Sequence, residues 1–494
     1  MIPLNNDNLE KLPSEVAVPV YQRDAVTPGI VHFGVGGFHR AHQAMYVDDL
    51  MNRGEALNWG IIGVGVMPGD RRMQEALARQ DHLYTLIIKH LDGRREARVI
   101  GSMIDYHYAP DDPETVIERM ANPATRIVSL TVTEGGYNFH PVSGEFNLDN
   151  SDIQHDLTNP ASPKTSFGLI TEALARRRER GLCPFTVMSC DNIQGNGEVA
   201  HRMFKAYADA RDAKLGAWVE AEVPFPNSMV DRITPVTTTE DIKDLASSFG
   251  VEDVWPVVCE PYTQWVLEDR FVAGRPAFES VGVEMVEDVE PYELMKLRLL
   301  NASHQALAYF GHLAGYRYAH EVCQDPLFVD FLLGYMTHEA TPTLAPLPGV
   351  DLDAYRRTLI ERFANPEVKD TLARLCAESS DRIPKWLVPV IREQIARNGE
   401  LFRAAAVVAS WARYAEGRDE QGAPIEVVDH LKDELMAIAA HNRQTPTAFI
   451  ENRELFGDLA EQSRFRDAYV EVLESLHRRG ARATLETLVQ QGGQ

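Results

Sequence analysis

The sequence has few cysteines and places them in no metal-binding or disulfide pattern. Five cysteines in 494 residues stand at positions 183, 190, 259, 323 and 376, and no two of them form a Cys-x-x-Cys pair. A secreted disulfide scaffold or a cysteine-rich zinc site would need more cysteines at closer spacing. We therefore expect a chain of this length to fold around an apolar core without disulfides.

Long apolar runs and a basic leader are also absent. The longest apolar runs, such as 404–410, are far shorter than the roughly 18 residues typical of a membrane span. Residues 1–15 contain neither a basic segment nor an apolar one, so no signal peptide is predicted. These absences predict a cytoplasmic protein with no membrane partner.

Positive charge is scarce relative to negative charge. The chain has 49 Lys and Arg against 73 Asp and Glu, which gives a formal net charge of −24. A surface this acidic repels phosphate backbones, so we expect no nucleic-acid partner. With 44% hydrophobic and 25% charged residues, the composition is that of a globular protein of several domains' length.

The two parts of the chain differ in hydrophobic pattern. In the first part, Val- and Ile-rich runs alternate with helical patterns, which is typical of a parallel sheet covered by helices on both faces. The runs are 30–37, 59–66, 84–90, 97–103, 126–133 and 185–190, and the helical patterns include 39–52, 113–121 and 167–180. After about residue 290, apolar residues recur at helical spacing, for example in 352–363, 401–415 and 465–479. We predict an α/β fold: a Rossmann-type dinucleotide-binding domain over 1–285 and a mainly α-helical substrate-binding and catalytic domain over 286–494.

A glycine-rich turn follows the first run. Gly34, Gly36 and Gly37 stand where a buried strand should pass into a helix, which allows a tight turn and a close approach to a diphosphate. We assign these glycines and the adjoining Phe38 to cofactor binding. The pattern departs from G-x-G-x-x-G at His39, and an ordinary strand-to-helix turn is the alternative.

Asp70, just after the second run, is the candidate acid for the ribose of NAD. The neighbouring Arg71 and Arg72 offer instead to bind a 2′-phosphate, so use of NADP stays open. Asp70 as the cap of a following helix is the structural alternative.

A second polar pattern lies on the predicted helix 291–316. At about 100° per residue, Asn301 lies about 140° and His304 about 80° around the helix from Lys296, so the three share a broad face. A lysine that loses water beside a positively charged nicotinamide has its charged form disfavoured, which suits a general base. Solvated helix residues would show the same spacing.

Asn192 follows the run 185–190, at the carboxyl edge where open α/β sheets bind ligands. A turn or helix cap is its structural alternative. His39 and His42 are spaced as a metal pair, but neither H-E-x-x-H nor a Cys/His cluster accompanies them, so no metal is expected.

Six segments in the same order resemble the polyol-specific long-chain dehydrogenase/reductase family. The segments are 34–43, 129–137, 185–192, 229–235, 259–269 and 292–304, and the similarity extends from about residue 20 to the C-terminus. The resemblance implies metal-independent hydride transfer between a polyol and NAD, and within the family it is greatest to members that interconvert D-mannitol and D-fructose.

The resemblance also implies roles for single residues. Lys296 would remove the C2 hydroxyl proton, and Asn192 and Asn301 would form the oxyanion hole. His304 would orient the substrate, and Glu293 would serve the proton path to water. The implied substrate contacts are Asp231, Arg374 and Arg382, the last standing where a lysine is typical of the family.

Other functions stay open at this point. Fructuronate reductases of the family share the Lys-Leu-Arg at 296–298, but Arg298 lies about 200° around the helix from Lys296 and should point away from the site. Arabinitol is a further substrate candidate. A dinucleotide-sensing protein without catalysis is the non-enzymatic alternative. A small-molecule polyol or ketose is the expected partner, and the sequence is compatible with a monomer or a small homo-oligomer.

Overall fold

The computed structural model describes residues 1–140 and 143–491, and the chain divides into two units. Unit 1 is Met1–Glu290 and unit 2 is Pro291–Gln494. The boundary expected from the sequence, at 285–286, lies within the last strand of unit 1.

Fourteen strands in the described residues form four sheets, all in unit 1. They are β1 (Ile2–Pro3), β2 (Val16–Ala17), β3 (Pro28–Phe33), β4 (Gly60–Gly65), β5 (Tyr84–Lys89), β6 (Arg95–Ile100), β7 (Met103–Tyr108), β8 (Ile127–Leu130), β9 (Thr186–Ser189), β10 (Ser228–Asp231), β11 (Val251–Glu252), β12 (Val257–Cys259), β13 (Gln264–Glu268) and β14 (Glu284–Val286).

The largest sheet has five parallel strands in the order β7-β4-β3-β8-β9. At its centre, Val31 lies opposite both Ile62 and Val128. Every residue of β4, β8 and β9 is buried, which explains the continuous apolar runs by which the sequence predicted them. This sheet confirms the predicted Rossmann-type α/β fold.

The runs 84–90 and 97–103 form a different arrangement. β5 and β6 pair antiparallel, with Tyr84 opposite Ile100, in a separate sheet of order β12-β5-β6-β2. A parallel crossover needs a dozen or more residues, and the link between β5 and β6 is only a short turn with Gly93 at φ +81°. The remaining sheets are β10-β13-β14 and β1-β11.

The helices of unit 1 cover both faces of the parallel sheet. They are α1 (Gly37–Ala41), α2 (Gln43–Asn52), α3 (Asp70–Ala78), α4 (Pro113–Ala121), α5 (Ser151–Thr158), α6 (Ser166–Glu179), α7 (Asn196–Arg211), α8 (Ala213–Glu222) and α9 (Thr239–Phe249), with short 3-10 helices at Asn6–Lys11, Arg23–Ala25, Glu134–Tyr137 and Phe278–Val281. Val31 and Phe33 pack in one core with α4, α6 and α7. Ile30 packs in a second core with α2. Alternate residues of β3 therefore point to opposite helical layers.

Unit 2 is mainly helical, as predicted. Its helices are α10 (Glu290–Met295, beginning at the last residue of unit 1), α11 (Ala302–Leu313), α12 (Ala319–Cys323), α13 (Pro326–Gly334), α14 (Leu352–Phe363), α15 (Leu372–Cys376), α16 (Ser379–Trp386), α17 (Val388–Ala396), α18 (Phe402–Tyr414), α19 (Lys432–Ala439), α20 (Arg453–Phe456) and α21 (Ser463–Gln491). Gly480, at φ +81° and ψ 174°, divides α21 into two helices. Short 3-10 helices lie at Thr341–Thr343, Ala448–Glu451 and Leu459–Glu461, and π-helices at Lys296–Asn301 and Tyr335–Ala340.

The core of unit 2 is built around α11 and α18. Residues of α11 are buried on all sides, which is typical of a central helix. Tyr309 of α11 lies against Trp411 and Tyr414 of α18. The helix that begins after Asn301 is thus fixed in the core at its far end. No helix of residues 1–140 and 143–491 has both the length and the hydropathy needed to cross a membrane.

Candidate active site

A cleft of about 990 Å³ lies at the carboxyl edge of the parallel sheet in unit 1. It is lined by the residues that directly follow strands β3, β4 and β8, namely Gly34, Val66 and Thr131. Tyr108, the last residue of β7, also lines it. Open α/β sheets bind ligands at this edge. The cleft is therefore the candidate dinucleotide site, and it contains the predicted Gly34, Gly36 and Asp70.

Gly34 and Gly36 are glycines for different reasons. Gly34 has φ +88°, and a Cβ there would lie 2.2 Å from the carbonyl oxygen of Thr131, so the turn itself excludes a side chain. Among the described residues, a Cβ at Gly36 would meet no atom closer than the carbonyl oxygen of Gly34, at 3.9 Å. The space beside Gly36 is thus open for a ligand to approach the backbone, which fits the diphosphate of a dinucleotide.

Gly37 and Phe38 are not among the residues that line this cleft. A Cβ at Gly37 would lie 3.4 Å from the side chain of Thr234, and the ring of Phe38 stacks on that of His42 at 4.8 Å. The helix predicted over 39–52 is divided at His42, which has non-helical φ −128° and ψ −97°. The roles of Gly37 and Phe38 in cofactor binding stay predictions.

A buried hydrogen-bond network that the sequence pattern does not predict supports the glycine turn. The hydroxyl of Thr131 donates to the carbonyl of Gly34 at 2.7 Å. The two ring nitrogens of His32 lie 2.7 Å from the Ser129 hydroxyl and 2.9 Å from the Thr131 hydroxyl. Burial lowers the pKa of His32 to about 3, so the ring is neutral at pH 7. The polar residues within an otherwise apolar strand were the available signal.

His39 and His42, which have the spacing of a metal pair, are parts of the fold. The ring of His39 is buried and stacks on His32 at 3.4 Å between centroids. His42 directs Nε2 at the carbonyl of Gln264, 3.1 Å away. Elsewhere in the described residues, ligand atoms of Glu378, Asp381 and His430 lie within 4.8 Å of one another on unit 2.

Asp70 shapes the loop that follows β4. It is the first residue of α3, and its Oδ2 accepts the backbone N–H groups of Val66 and Met67, each at 2.9 Å. The carboxylate thereby holds the backbone of Val66 and Met67 in place, and all three residues line the cleft. It does so by bonding backward to the loop, rather than by capping a helix that starts after it.

The two arginines beside Asp70 already have partners. Arg71 donates to both oxygens of Asp111, at 3.0 and 2.5 Å, and the guanidinium of Arg72 lies 4.5 Å from the ring centre of Trp255. Neither arginine lines the cleft. This arrangement favours a free ribose hydroxyl over a 2′-phosphate at this position.

Asn192 is exposed in the loop between β9 and α7, and its neighbour Asp191 anchors that loop. Asp191 is buried, and its carboxylate accepts the N–H groups of Thr133 at 2.7 Å and Val132 at 3.2 Å and the hydroxyl of Tyr137 at 2.8 Å. Burial raises the pKa of Asp191. Thr133 has φ +63°, a strained value for a threonine. Sequence reasoning missed Asp191, although it adjoins Asn192.

Asp231 is the buried last residue of β10. The start of β10 is tied to the end of β9, because the Ser228 hydroxyl donates to the carbonyl of Ser189 at 2.6 Å. Asn196 donates to the carbonyls of both Asp191 and Ser228, at 2.9 and 2.7 Å. Asn192 and Asp231 thus belong to adjoining segments of unit 1.

In unit 2, the predicted catalytic residues follow one another through a π-helix. Lys296 and Asn301 are its first and last residues, Glu293 precedes it in α10 and His304 follows it in α11. The N–H of Ala302 donates to the carbonyl of Leu297, five residues back. The helix predicted as continuous and α-helical is therefore widened at the polar residues.

The π-helix brings the polar side chains closer together than an α-helix would. A π-helix turns by roughly 80° per residue, so Asn301 lies about 40° from Lys296 around the axis instead of about 140°. With the flanking α-helical steps, Glu293 lies about 60° to one side of Lys296 and His304 about 20° to the other. The four residues form one narrow stripe, which we call the Lys296 stripe.

The Lys296 stripe is largely buried. Glu293, Lys296 and Asn301 are each 6–7% exposed. The Oδ1 atom of Asn301 is buried with no hydrogen-bond partner among the described residues. A buried amide oxygen without a donor costs free energy, and the hydroxyl of a bound polyol could recover it by donating to Oδ1. His304 packs its ring 4.5 Å from that of Phe363.

Arg298 lies on the opposite side of the π-helix, as expected. It is buried, donates to the carbonyl of Thr343 at 2.6 Å and forms an ion pair with Glu393 at 2.8 Å. Its guanidinium is thus engaged within unit 2, away from the Lys296 stripe.

Arg374 and Arg382 come from helices packed against this region: α15 packs on α11, and α16 on the π-helix. Arg374 is exposed and donates to both oxygens of Asp370, at 2.6 and 2.5 Å. Arg382 is half-buried and donates to the carbonyl of Leu375 at 2.9 Å. Their roles as substrate contacts stay predictions.

Comparison with known proteins decides the family. The model of the mannitol dehydrogenase Rossmann domain matches residues 28–280, and that of the mannitol dehydrogenase C-terminal domain matches residues 288–477. The chain belongs to the mannitol dehydrogenase family. The resemblance found in the sequence is thereby confirmed, and so is the expected class of dehydrogenase.

Several relatives of this mannitol dehydrogenase family member are similar over their whole length. It is 47% identical to a mannitol 2-dehydrogenase of Aspergillus fumigatus, over 98% of each chain. A Pseudomonas fluorescens mannitol 2-dehydrogenase, solved as a ternary complex with NAD and D-mannitol, is 46% identical, with a TM-score of 0.86 over 99% of this chain and 100% of that one. A D-sorbitol dehydrogenase, solved in substrate-free form, is 37% identical, with a TM-score of 0.93 over 98% and 100%.

Proposed function

We propose that this chain interconverts D-mannitol and D-fructose by metal-independent, NAD-dependent hydride transfer at C2. The observation that carries the proposal is the Lys296 stripe, in which an amine, a carboxylate and an amide with an unsatisfied oxygen follow one face of the helix and are largely buried. The relatives that are 46–47% identical bear the name mannitol 2-dehydrogenase, and one of them binds NAD and D-mannitol.

Lys296 is the general acid and base of the proposed reaction. In mannitol oxidation its neutral amine removes the C2 hydroxyl proton while C2 loses a hydride and becomes the carbonyl of fructose. In fructose reduction its ammonium returns that proton to the oxygen of C2. Bound NAD supplies the acceptor of the hydride. Glu293, about one helical turn before Lys296, passes the proton on toward water.

Asn301 stabilises the charge that develops on the C2 oxygen. Its amide is held on the Lys296 stripe by the helix backbone, so a donor is fixed before the reaction begins. We assign a second donor to Asn192 and the orientation of the substrate to His304. Asp231, Arg374 and Arg382 are proposed to contact the other hydroxyl groups.

The cleft in unit 1 is proposed to hold NAD. The open space at Gly36 fits a diphosphate, and Asp70 at the rim fits a ribose hydroxyl. The partners already held by Arg71 and Arg72 support NAD over NADP. NADH and NADPH efficiencies with fructose, measured side by side, test this choice, and a clear preference for NADPH would overturn it.

The substitution Lys296→Ala tests the mechanism. We expect turnover of fructose, followed by NADH absorbance, to fall by about 10²–10⁴ or more, because a positioned acid-base group is lost. The dissociation constant of NADH should stay the same. Lys432→Ala, at an exposed lysine of α19, is the matched control. Near-normal turnover in the Lys296 variant would show that another group moves the proton.

The substrate is tested with a panel of ketoses and by product analysis. Rates with fructose, fructuronate and xylulose should favour fructose, since Arg298 is engaged by Thr343 and Glu393 and offers no clamp for a carboxylate. D-mannitol and D-sorbitol are epimers at C2, so chromatography of the fructose product distinguishes the two polyols, and we expect mannitol. NADH binding without turnover of any ketose would instead indicate a dinucleotide sensor.

A further inference from the structure

Two π-helices of unit 2 pack against each other. The first, Lys296–Asn301, carries two residues of the Lys296 stripe, and the second is Tyr335–Ala340. Each contains a bond that reaches five residues back, from Ala302 to Leu297 and from Thr341 to Met336. π-Helices are rare and occur mostly as single wide turns at functional sites. Since an α-helix is the default, tertiary contacts must hold the wider turn.

Tyr335 provides one such contact. Its side chain is fully buried, and its hydroxyl donates to the backbone carbonyl of Arg298, in the middle of the first π-helix, at 3.2 Å. A π turn contains one residue more than an α turn, so the backbone ladder slips by one residue and one carbonyl becomes available to a donor outside the helix. A bond to that carbonyl favours the π register over the α register.

The side chain of Arg298 provides a second contact from the same side. It donates to the carbonyl of Thr343, just after the second π-helix, at 2.6 Å, and pairs with Glu393 of α17 at 2.8 Å. Both the backbone carbonyl and the side chain of Arg298 are therefore held by hydrogen bonds or an ion pair. Because it stands between Lys296 and Asn301, its position sets the angle between them.

The second π-helix is itself firmly held. The carboxylate of Glu339 accepts the N–H groups of Arg403 and Ala404, in the first turn of α18, at 2.8 and 2.7 Å. The side chain of Gln394 donates to the carbonyl of Glu339 at 2.5 Å. The second π-helix, which contains Tyr335, is thus bound to the core helices α17 and α18. The Tyr335 side chain can therefore hold the first π-helix in place.

We propose that Tyr335 and Arg298 are positioning residues that hold the π register and so align Lys296 with Asn301. The proposal rests on the proposed function for the role of Lys296. In an α register Asn301 would turn from about 40° to about 140° away from Lys296. The amide would then leave the oxygen that the amine protonates, and the loss of one such donor costs about 10²–10³ in kcat.

Tyr335→Phe tests the proposal, because it removes one hydroxyl and keeps the buried ring. We expect kcat for fructose to fall at least tenfold and the pH profile of kcat to move along the pH axis, with the dissociation constant of NADH unchanged. The matched control is Tyr469→Phe. Tyr469 is also fully buried in unit 2, but its hydroxyl has no hydrogen-bond partner among the described residues.

A structural role alone would predict a different result. If both tyrosine variants lost kcat and thermal stability to the same extent, or if Tyr335→Phe kept the wild-type kcat and pH profile, the proposal would be wrong. Should Tyr335→Phe fail to fold, Arg298→Lys replaces it, since a lysine retains the charge but cannot reach both Thr343 and Glu393 in the forked geometry of Arg298. Wild-type kcat in a folded Arg298→Lys protein would equally contradict the proposal.

A second measurement separates this proposal from the proposed function. The rate at which acetic anhydride acetylates Lys296, followed by mass spectrometry across a pH series, reports the environment of the amine without any turnover. We expect the midpoint of that series to move in Tyr335→Phe and to stay in Tyr469→Phe. If the wild-type protein turned over no ketose, the proposed function would be wrong. The acetylation measurement would still test the positioning role, because it needs no turnover. An unmoved midpoint would overturn the positioning role alone.

Discussion

The hydroxyl of Thr131 donates to the carbonyl oxygen of Gly34 across 2.7 Å. This bond joins the carboxyl ends of two neighbouring parallel strands, β3 and β8, directly under the cleft. The same hydroxyl oxygen lies 2.9 Å from Nε2 of His32. A side chain of the sheet edge therefore fixes the backbone that a dinucleotide would contact.

Thr131→Val should weaken NADH binding about tenfold. Valine has nearly the same shape but leaves the carbonyl of Gly34 without its donor, at a cost of about 1–3 kcal/mol. Thr131→Ser should restore most of the affinity, measured by quenching of protein fluorescence. Thr171→Val is the control, since Thr171 is buried and its hydroxyl has no partner among the described residues. Wild-type affinity in Thr131→Val would show that the bond does not shape the cofactor site.

Alanine substitutions at the two cleft glycines should affect different properties, thermal stability at Gly34 and NADH binding at Gly36. Gly34→Ala forces a Cβ to within 2.2 Å of the Thr131 carbonyl at φ +88°, so we expect a large loss of thermal stability. The new Cβ of Gly36→Ala meets no atom of residues 1–140 and 143–491 closer than 3.9 Å, so the melting temperature should stay within a few degrees while NADH binding weakens. Thermal melting with and without NADH measures both. Undiminished NADH binding in Gly36→Ala would place the diphosphate elsewhere.

Asp191→Asn should destabilise unit 1 and lower kcat. The carboxylate accepts three hydrogen bonds, from the N–H groups of Val132 and Thr133 and the hydroxyl of Tyr137, whereas the amide of asparagine has only one acceptor oxygen. Hydrogen bonds to a charged group contribute about 1.5–3 kcal/mol each. Denaturant unfolding and kcat with fructose check the prediction. The control Asp24→Asn changes an exposed aspartate of the same unit. Equal stability of the two variants would contradict the anchoring role.

Glu339 should make the stability of unit 2 depend on pH. Burial raises the pKa of Glu339 from its ordinary 4.5 to about 7. Between these values the folded protein holds a proton that the unfolded chain has released, so the free energy of unfolding falls as pH rises from 4.5 to about 7. Each pH unit corresponds to about 1.4 kcal/mol, which gives a total of about 3 kcal/mol.

Glu339→Gln removes this titration and provides the comparison. Its amide resembles the protonated carboxyl, so the stability of the wild type relative to the variant should decrease across pH 4.5–7 and then level off. Denaturant unfolding at several pH values measures the difference, in which the contributions of all other groups cancel. A constant difference across that range would mean that Glu339 is ionised throughout.

The strands and helices of the fold followed closely from hydrophobic pattern. β3, β4, β8 and β9 are buried on both faces, so their continuous apolar runs identified a parallel sheet. The same reasoning could not separate β5 and β6 from that sheet. Apolar runs report burial, whereas the short turn at Gly93 decides that these two strands pair antiparallel.

The residues of the candidate site could be predicted only where residue type and position along the chain indicate their role. Gly34, Gly36 and Asp70 line the cleft, as their place after strands suggests. Asp191 was missed because its role depends on the Val132–Thr133 loop, which is distant in sequence. The partners of Arg71 and Arg374 were likewise invisible, since an ion pair forms between side chains that folding brings together.

The sequence by itself determined the family, the two-part organisation and the identity of the polar residues at 293, 296, 301 and 304. Only the tertiary structure decided how those residues are aligned. The periodicity of one helix is compatible with either an α or a π register, because a slip of one residue changes few local interactions. The buried Tyr335 hydroxyl and the Arg298–Glu393 ion pair come from elsewhere in the fold and favour the π register.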